Sequence, residues 1–232
     1  DNYISHTDTK KGLLPFLYQR VKKYSLRKKV ALLNSFHKEA GSVLDVGAGT
    51  GDFLVTAQQA GWSVCGVEVN DAARKKALEK GIDLKKSLAA IKDEKFEVIT
   101  LWHVLEHISN LEETIHTLKN LLSENGTLLI AVPNYRSFDA TYYKEFWAAY
   151  DVPRHLWHFS RNSLQLLFGS SMKLVKTKPM VFDAFYVSLL SEKYKTGKTF
   201  SLKAFWIGLR SNLKANQTKE YSSLIYCFKK AK

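Results

Sequence analysis

Cysteine, proline and methionine are scarce in this chain: two, four and two of 232 residues. Cys65 and Cys227 lie in separate apolar runs with no metal-type spacing around them. That argues against a disulfide scaffold or a cysteine zinc site, and two buried thiols are expected. No apolar run approaches the length of a membrane span. The first residues show no signal-peptide pattern, so the expected location is cytoplasmic. The chain does not begin with Met, which leaves targeting residues upstream of Asp1 open.

Acids are missing from two stretches. Residues 10–38 hold nine Lys and Arg and no acid; residues 193–232 hold ten and a single acid, Glu220. Together these stretches carry a net +18 against +13 for the whole chain, which leaves the remainder at −5. A mildly acidic core with basic flanks suits an anionic acceptor, a membrane surface or nucleic acid, and equally an ordinary solvated surface.

What is present is a core-forming composition, 45% hydrophobic and 12% aromatic, of a length that suits one α/β domain with additions. The chain is organised around Val43-Leu44-Asp45-Val46-Gly47-Ala48-Gly49-Thr50-Gly51-Asp52. An apolar run, a turn with alternate glycines and a helical pattern from Phe53 read as strand, turn and helix. Glycine lets a ligand lie directly on the backbone of such a turn. A dinucleotide fingerprint would place a small residue where Asp52 stands, and its pyrophosphate at the helix N-terminus. Asp45 and Asp52 flank that place, repel a pyrophosphate and suit a ligand carrying positive charge.

Alternating patterns continue along the chain. Strands are expected at 43–46, 63–67, 82–84, 96–101, 127–132, 173–179 and 223–228. Helices are expected after Asn70, Asn110 and Ser160, each a capping residue. Two helices broken near Tyr24-Ser25 should cover residues 13–36. This alternation implies a parallel sheet covered on both faces, with its ligand at the carboxyl ends of the strands. Glu68 ends the second strand about 20 residues past the first glycine, where a ribose-binding carboxylate belongs. His103-Val-Leu-Glu106-His107 follows the fourth strand. Read alone it is an inverted zinc-protease motif; in this context it also reads as pocket lining or acid/base chemistry.

The glycine segment resembles the first motif of the class I S-adenosylmethionine-dependent methyltransferases, apolar-Leu-Asp-x-Gly-x-Gly-x-Gly. Leu105-Glu106-His107-Ile108 is similar to the post-strand motif of ubiquinone-biosynthesis methyltransferases. Asp151-x-Pro153-Arg154-His155-Leu156-x-His158-Phe159-Ser160, with Tyr3 to His6, looks like the signature of a broad methyltransferase subfamily. The resemblance implies an α/β fold: a seven-stranded, mostly parallel Rossmann-like sheet with helices on both faces. It further implies a basic helical lid over 1–38, a cofactor-binding core over 39–180, a helical insertion over 181–221 and the last strand over 222–232.

The implied cofactor is S-adenosyl-L-methionine, held by Asp45, Gly47, Ala48, Gly49, Gly51, Glu68, Val69, Ser87, Leu88 and Trp102. His103, His107 and His155 are the candidate bases for an oxygen acceptor. Tyr3, His6, Tyr150 and Arg154 are the candidate acceptor contacts. In some of the ubiquinone-type enzymes two acids and the His hold a divalent metal. His103 stands here in place of the first acid, and no metal ligand is assigned. The implied acceptor is an anionic small molecule, glycan or lipid, with peripheral membrane contact and a homodimer both compatible. Competing readings are an inactive cofactor-binding adaptor, a nucleic-acid methyltransferase, a nicotinamide oxidoreductase and a zinc peptidase. No nucleic-acid-binding module is recognisable.

Overall fold

The computed structural model describes residues 13–92 and 94–231, with side chains from residue 19 onward. The element order is α1 (Leu13–Asn34), β1 (Ser42–Val46), α2 (Asp52–Gln59), β2 (Ser63–Val67), α3 (Asp71–Leu78), β3 (Phe96–Trp102), α4 (Leu111–Leu121), β4 (Leu122–Pro133), α5 (Phe138–Tyr143), α6 (Arg161–Phe168), β5 (Met172–Pro179), α7 (Asp183–Thr196), α8 (Leu202–Thr218) and β6 (Ser223–Lys230).

Among the described residues the sheet has six strands in the order β2-β1-β3-β4-β6-β5. β2, β1, β3 and β4 run parallel; β6 is antiparallel to both β4 and β5. Two expectations are corrected here. The parallel sheet implied by strand–helix alternation is mixed, because β6 alone is reversed, and the seven expected strands become six: the one at 82–84 is reduced to a single bridge, Val67 to Lys85. Ile82 and Leu84 bury their side chains in the core on the side of α2 and α3, and the chain reaches β2 only at Lys85, whose N–H donates to Gly66 O and whose carbonyl accepts from Glu68 N–H. A third correction concerns the N-terminal segment, which forms one continuous helix through Ser25.

Strand periodicity divides the core. Leu44, Val46, Ile99, Leu101, Leu128, Ile130 and Val132 face α4 and α6 through Ile115, Leu118, Leu164 and Phe168. The alternate residues Val43, Val98, Leu129 and Ala131 face α1, α2 and α3 through Val30, Leu33, Phe53, Leu54 and Ala77. Each fully buried aliphatic side chain contributes about 1.5–3 kcal/mol, so a one-residue slip would move every strand's stabilising set to the wrong face. Cys65 and Cys227 are free, and burial pushes both thiols up.

The chain leaves β1 toward β2 on one side and returns to β3 on the other. The strand order therefore switches beside β1, and in open α/β sheets ligands bind outside the carboxyl strand ends at that crevice. A satellite cluster of α5, α7 and the segment around Trp147 packs beside this crevice. Its centre is the buried carboxylate of Asp139, which accepts from Trp147 Nε1, Ser211 Oγ and Ser222 Oγ at 2.8, 2.6 and 2.7 Å.

Candidate functional site

The turn after β1 is shaped by backbone. The Gly47 and Ala48 N–H groups both donate to Val67 O, at 2.8 and 2.9 Å, which ties the turn to the end of β2. Gly47 and Gly49 have φ of 72° and 55°. A Cβ on Gly47 would lie 2.4 Å from Val104 Cγ2, so this glycine lets the segment after β3 close against the turn. A Cβ on Gly49 would meet nothing within 4 Å. Gly49 thus presents bare backbone to open space, the surface a ligand needs.

Glu68 stands at the edge of that surface. Its Oε2 accepts from Gly49 N–H and its Oε1 from Asn70 N–H, both at 2.9 Å. Two further lone-pair directions on the carboxylate remain for ligand hydroxyls. Arg74 donates to the Glu68 and Val69 carbonyls and fixes the bend below them. Glu68 N–H donates to Lys85 O, which brings the Ser87–Leu88 segment alongside. Val69 is 76% exposed there.

Asp45 lies opposite Thr100 in the β1–β3 register and accepts its hydroxyl at 2.6 Å. Burial raises its carboxyl to about 7, against the pull of Thr100 and Lys29. Lys29, from α1, places its Nζ 4.3 Å from the centre of the Trp102 ring. Burial lowers this ammonium to about 8, while Asp45 and Asp183 act to raise it. The niche of Asp45 and Trp102 thus already accommodates an alkylammonium. Asp52 has a different role from the one its position suggested. It pairs with Lys22 at 2.9 Å and Lys80 at 2.7 Å, and these lysines outweigh burial and hold its carboxyl low. The electrostatic case for a cationic ligand therefore passes to Glu68 and, only in exchange with the Lys29 ammonium, to Asp45.

The far end of the crevice is built from side chains. His103 takes φ of 58°, an uncommon conformation for a residue with a Cβ. Its Nε2 lies 3.0 Å from Asp183 Oδ2 and its Nδ1 3.4 Å from Glu106 Oε1. Burial would lower its pKa, but the two carboxylates prevail and raise it to about 10, so the ring is an imidazolium at neutral pH. Glu106 is 1% exposed, and neither carboxylate oxygen has a hydrogen-bond partner.

The Asp151–Ser160 segment is strapped over this cluster. Leu156 N–H donates to Glu106 O at 2.8 Å and Trp157 Nε1 to Ile108 O at 2.8 Å. His155 Nδ1 lies 2.8 Å from Ala149 O and His107 Nδ1 2.9 Å from Arg154 O. A carbonyl only accepts, so each Nδ1 carries a proton, and Nε2 is the atom left to face the site. Burial lowers the His155 pKa, which keeps that ring neutral. The two rings meet edge to face, 4.6 Å between centres.

Ligand atoms of Glu106, His107 and His155 lie within 4.8 Å of one another, a spacing that suits a divalent cation. A buried carboxylate whose one ionic contact is the His103 ring at 3.4 Å, beside two imidazoles oriented by backbone carbonyls, fits such an ion chemically. Position 103 offers no acid for it; His155, from the strap, supplies the third donor.

The structure therefore collects the cofactor candidates at one end of the crevice and His103, His107 and His155 at the other. Tyr150 packs on Trp147 and His158, and Arg154 pairs with Asp151 at 2.6 Å. Tyr3 and His6 lie outside the described residues. Sequence reasoning missed Lys29 and Asp183, which link the two ends of the site. Neither stands in a motif: Lys29 is one of nine basic residues in its stretch.

Residues 18–171 match the model of a family described as a methyltransferase domain. A ubiquinone biosynthesis O-methyltransferase from Actinobacillus pleuropneumoniae is 34% identical over 106 residues, 40% of this chain and 45% of the relative. An uncharacterized methyltransferase from Bacillus pumilus is 31% identical over 134 residues, 55% of this chain and 61% of the relative. The chain thus spans about half the length of these relatives. Among solved structures, magnesium protoporphyrin IX methyltransferase from Synechocystis PCC 6803 with bound SAH superposes with a TM-score of 0.61 at 15% identity, covering 95% of this chain and 89% of that one. A SAM-dependent methyltransferase from Thiobacillus denitrificans in complex with S-adenosyl-L-homocysteine gives 0.55 at 18% identity, covering 88% and 91%. These likenesses are of fold.

Proposed function

The chain belongs to the methyltransferase-domain family, and from that premise we propose that it transfers a methyl group from S-adenosyl-L-methionine to an oxygen of a small-molecule, glycan or lipid acceptor. The observation that carries this reading is Glu68: a carboxylate tied at 2.9 Å to the N–H of a glycine whose outer face is open. Bound there, the cofactor would supply a sulfonium methyl, an electrophile that needs alignment with its acceptor and exclusion of water.

The chain's own residues do the rest. Glu68 accepts the ribose hydroxyls, and the Gly47–Gly51 backbone lies against the methionine portion. Val69, Ser87 and Leu88 border the adenine. Asp45 and Trp102 take the positive end of the ligand, which displaces the Lys29 ammonium from that niche. At the acceptor end, His155 is the base: neutral, oriented by Ala149 O, and with Nε2 available to take the hydroxyl proton. His103, as an imidazolium, holds Glu106 and balances an anionic acceptor. Were a divalent cation held by Glu106, His107 and His155, it would occupy the His155 lone pair and lower the pKa of an acceptor hydroxyl in place of that base. Transfer to oxygen is supported by the likeness to the ubiquinone O-methyltransferases over the stretch they share.

Calorimetric titration with S-adenosylmethionine, S-adenosylhomocysteine and NAD tests the reading. The two adenosyl ligands should bind and Glu68→Ala should weaken both by roughly tenfold or more. Binding of NAD in preference, or indifference of the adenosyl ligands to Glu68→Ala, would overturn it.

A further inference from the structure

Helices α7 and α8 are built inside out. On α8 the residues packed inward are Ala204, Ile207, Gly208, Ser211 and Ala215, mostly small. The large apolar ones, Leu202, Phe205, Trp206 and Leu213, recur at three- and four-residue spacing on the opposite side and are exposed, Leu202 by 69% and Trp206 by 64%. α7 follows in part, with Ala184, Val187, Ser188 and Ser191 inside and Tyr186 exposed; Phe182, just before it, meets Tyr24 of α1 with ring centres 5.9 Å apart. The small residues serve the contact between the helices: a Cβ on Gly208 would come within 2.9 Å of Ala184 O and Phe185 Cα. Phe185 and Phe205 meet with ring centres 5.1 Å apart, so the outer sides of the two helices form one continuous apolar face.

The charge around this face has one sign. Residues 181–219 contain seven Lys and Arg and two acids. Both acids turn inward: Asp183 pairs with His103 and Glu192 is buried. Lys203, Arg210 and Lys214 line one flank of the exposed stripe, and Lys193 and Lys198 stand exposed at the hairpin turn. Lys203 keeps a 3.6 Å contact to Glu192, and Arg210 and Lys214 lie over the Phe138 ring.

We propose that the α7–α8 hairpin docks the protein on an anionic phospholipid surface, with Phe205, Trp206 and Leu202 in the interfacial layer and the basic flank against the headgroups. Apolar aromatic faces beside Lys and Arg are what lie in the plane of such an interface. No helix among the described residues is long and apolar enough to cross a membrane, so the contact is peripheral. A second copy is the poorer occupant, because it would bring two basic flanks together with no exposed acid on either hairpin to answer them. The inference does not depend on the methyl-transfer reading.

Flotation of the full chain tests it, with vesicles of equal parts phosphatidylglycerol and phosphatidylcholine against phosphatidylcholine alone. The protein should float with the anionic vesicles only. Trp206→Glu should reduce that binding by about tenfold or more, with an unchanged melting profile because the residue stands outside the core. Each reversal in the Lys203→Glu, Arg210→Glu pair should lower it by at least about fivefold. Failure to float with anionic vesicles would overturn the proposal, as would full binding by the Trp206→Glu chain. So would a dimer in sedimentation that Trp206→Glu dissolves while vesicle binding is absent.

Discussion

The two ends of the crevice are held in different ways. The end at Gly47–Glu68 is fixed by main chain: the turn donates to Val67 O, and Glu68 is clasped by two N–H groups. The end at His103–His155 is fixed by side-chain charge, with an imidazolium between Asp183 and Glu106 and a strap on the Glu106 carbonyl. Backbone hydrogen bonds hold the same geometry across a wide pH range. Ion pairs change with protonation. A site that recognises one ligand rigidly and does proton chemistry on another benefits from this division, and it makes the ends separable by experiment.

Where the ends touch, the largest effect is expected. Gly47→Ala adds a methyl 2.4 Å from Val104 and forces alanine to φ of 72°. It should destabilise the fold by about 3 kcal/mol in urea unfolding. Gly49→Ala faces open space, so it should cost only about 1 kcal/mol yet weaken adenosyl-ligand binding at least about tenfold. Equal behaviour of the two variants would break the comparison.

Next is turnover. His155→Asn should lower kcat by roughly a hundredfold or more with ligand affinity unchanged, once an acceptor is in hand. Full turnover would remove His155 as base.

The ends should also respond differently to pH. The raised pKa of His103 contributes stability that is complete below 6.5 and lost as pH rises toward about 10. The melting temperature should therefore fall across that window, and Asp183→Asn should flatten the fall. The smallest effect belongs to Asp45. Its carboxyl ionises near 7, and a cationic ligand prefers the ionised form. Affinity should rise several-fold from pH 6 to pH 8, and Asp45→Asn should abolish the rise.

The same division explains what could be read from the chain. Gly47, Gly49, Glu68, the Asn70 cap and the Ser160 cap are local features, decided within a few residues, and their sequence patterns show them. Asn110 is an instructive partial case: α4 starts where expected, but the side chain bonds Glu113 in place of the helix backbone. Lys29 and Asp183 meet only after α1 and α7 have packed across the sheet, and no short pattern encodes that. The strand at 82–84 had the right apolar residues, but they pack into the core and only the next residue, Lys85, bridges to β2. The Val181–Tyr221 segment was legible as helical, but not that its large residues face outward, because both sides of α8 are apolar and only residue size tells them apart.

A structure with S-adenosylhomocysteine bound is the most direct test of the account. It should show the ribose hydroxyls within hydrogen-bond reach of Glu68 and the ligand lying on Gly49. A ligand seated elsewhere, or a Glu68 carboxylate still engaged only by Gly49 and Asn70, would contradict it.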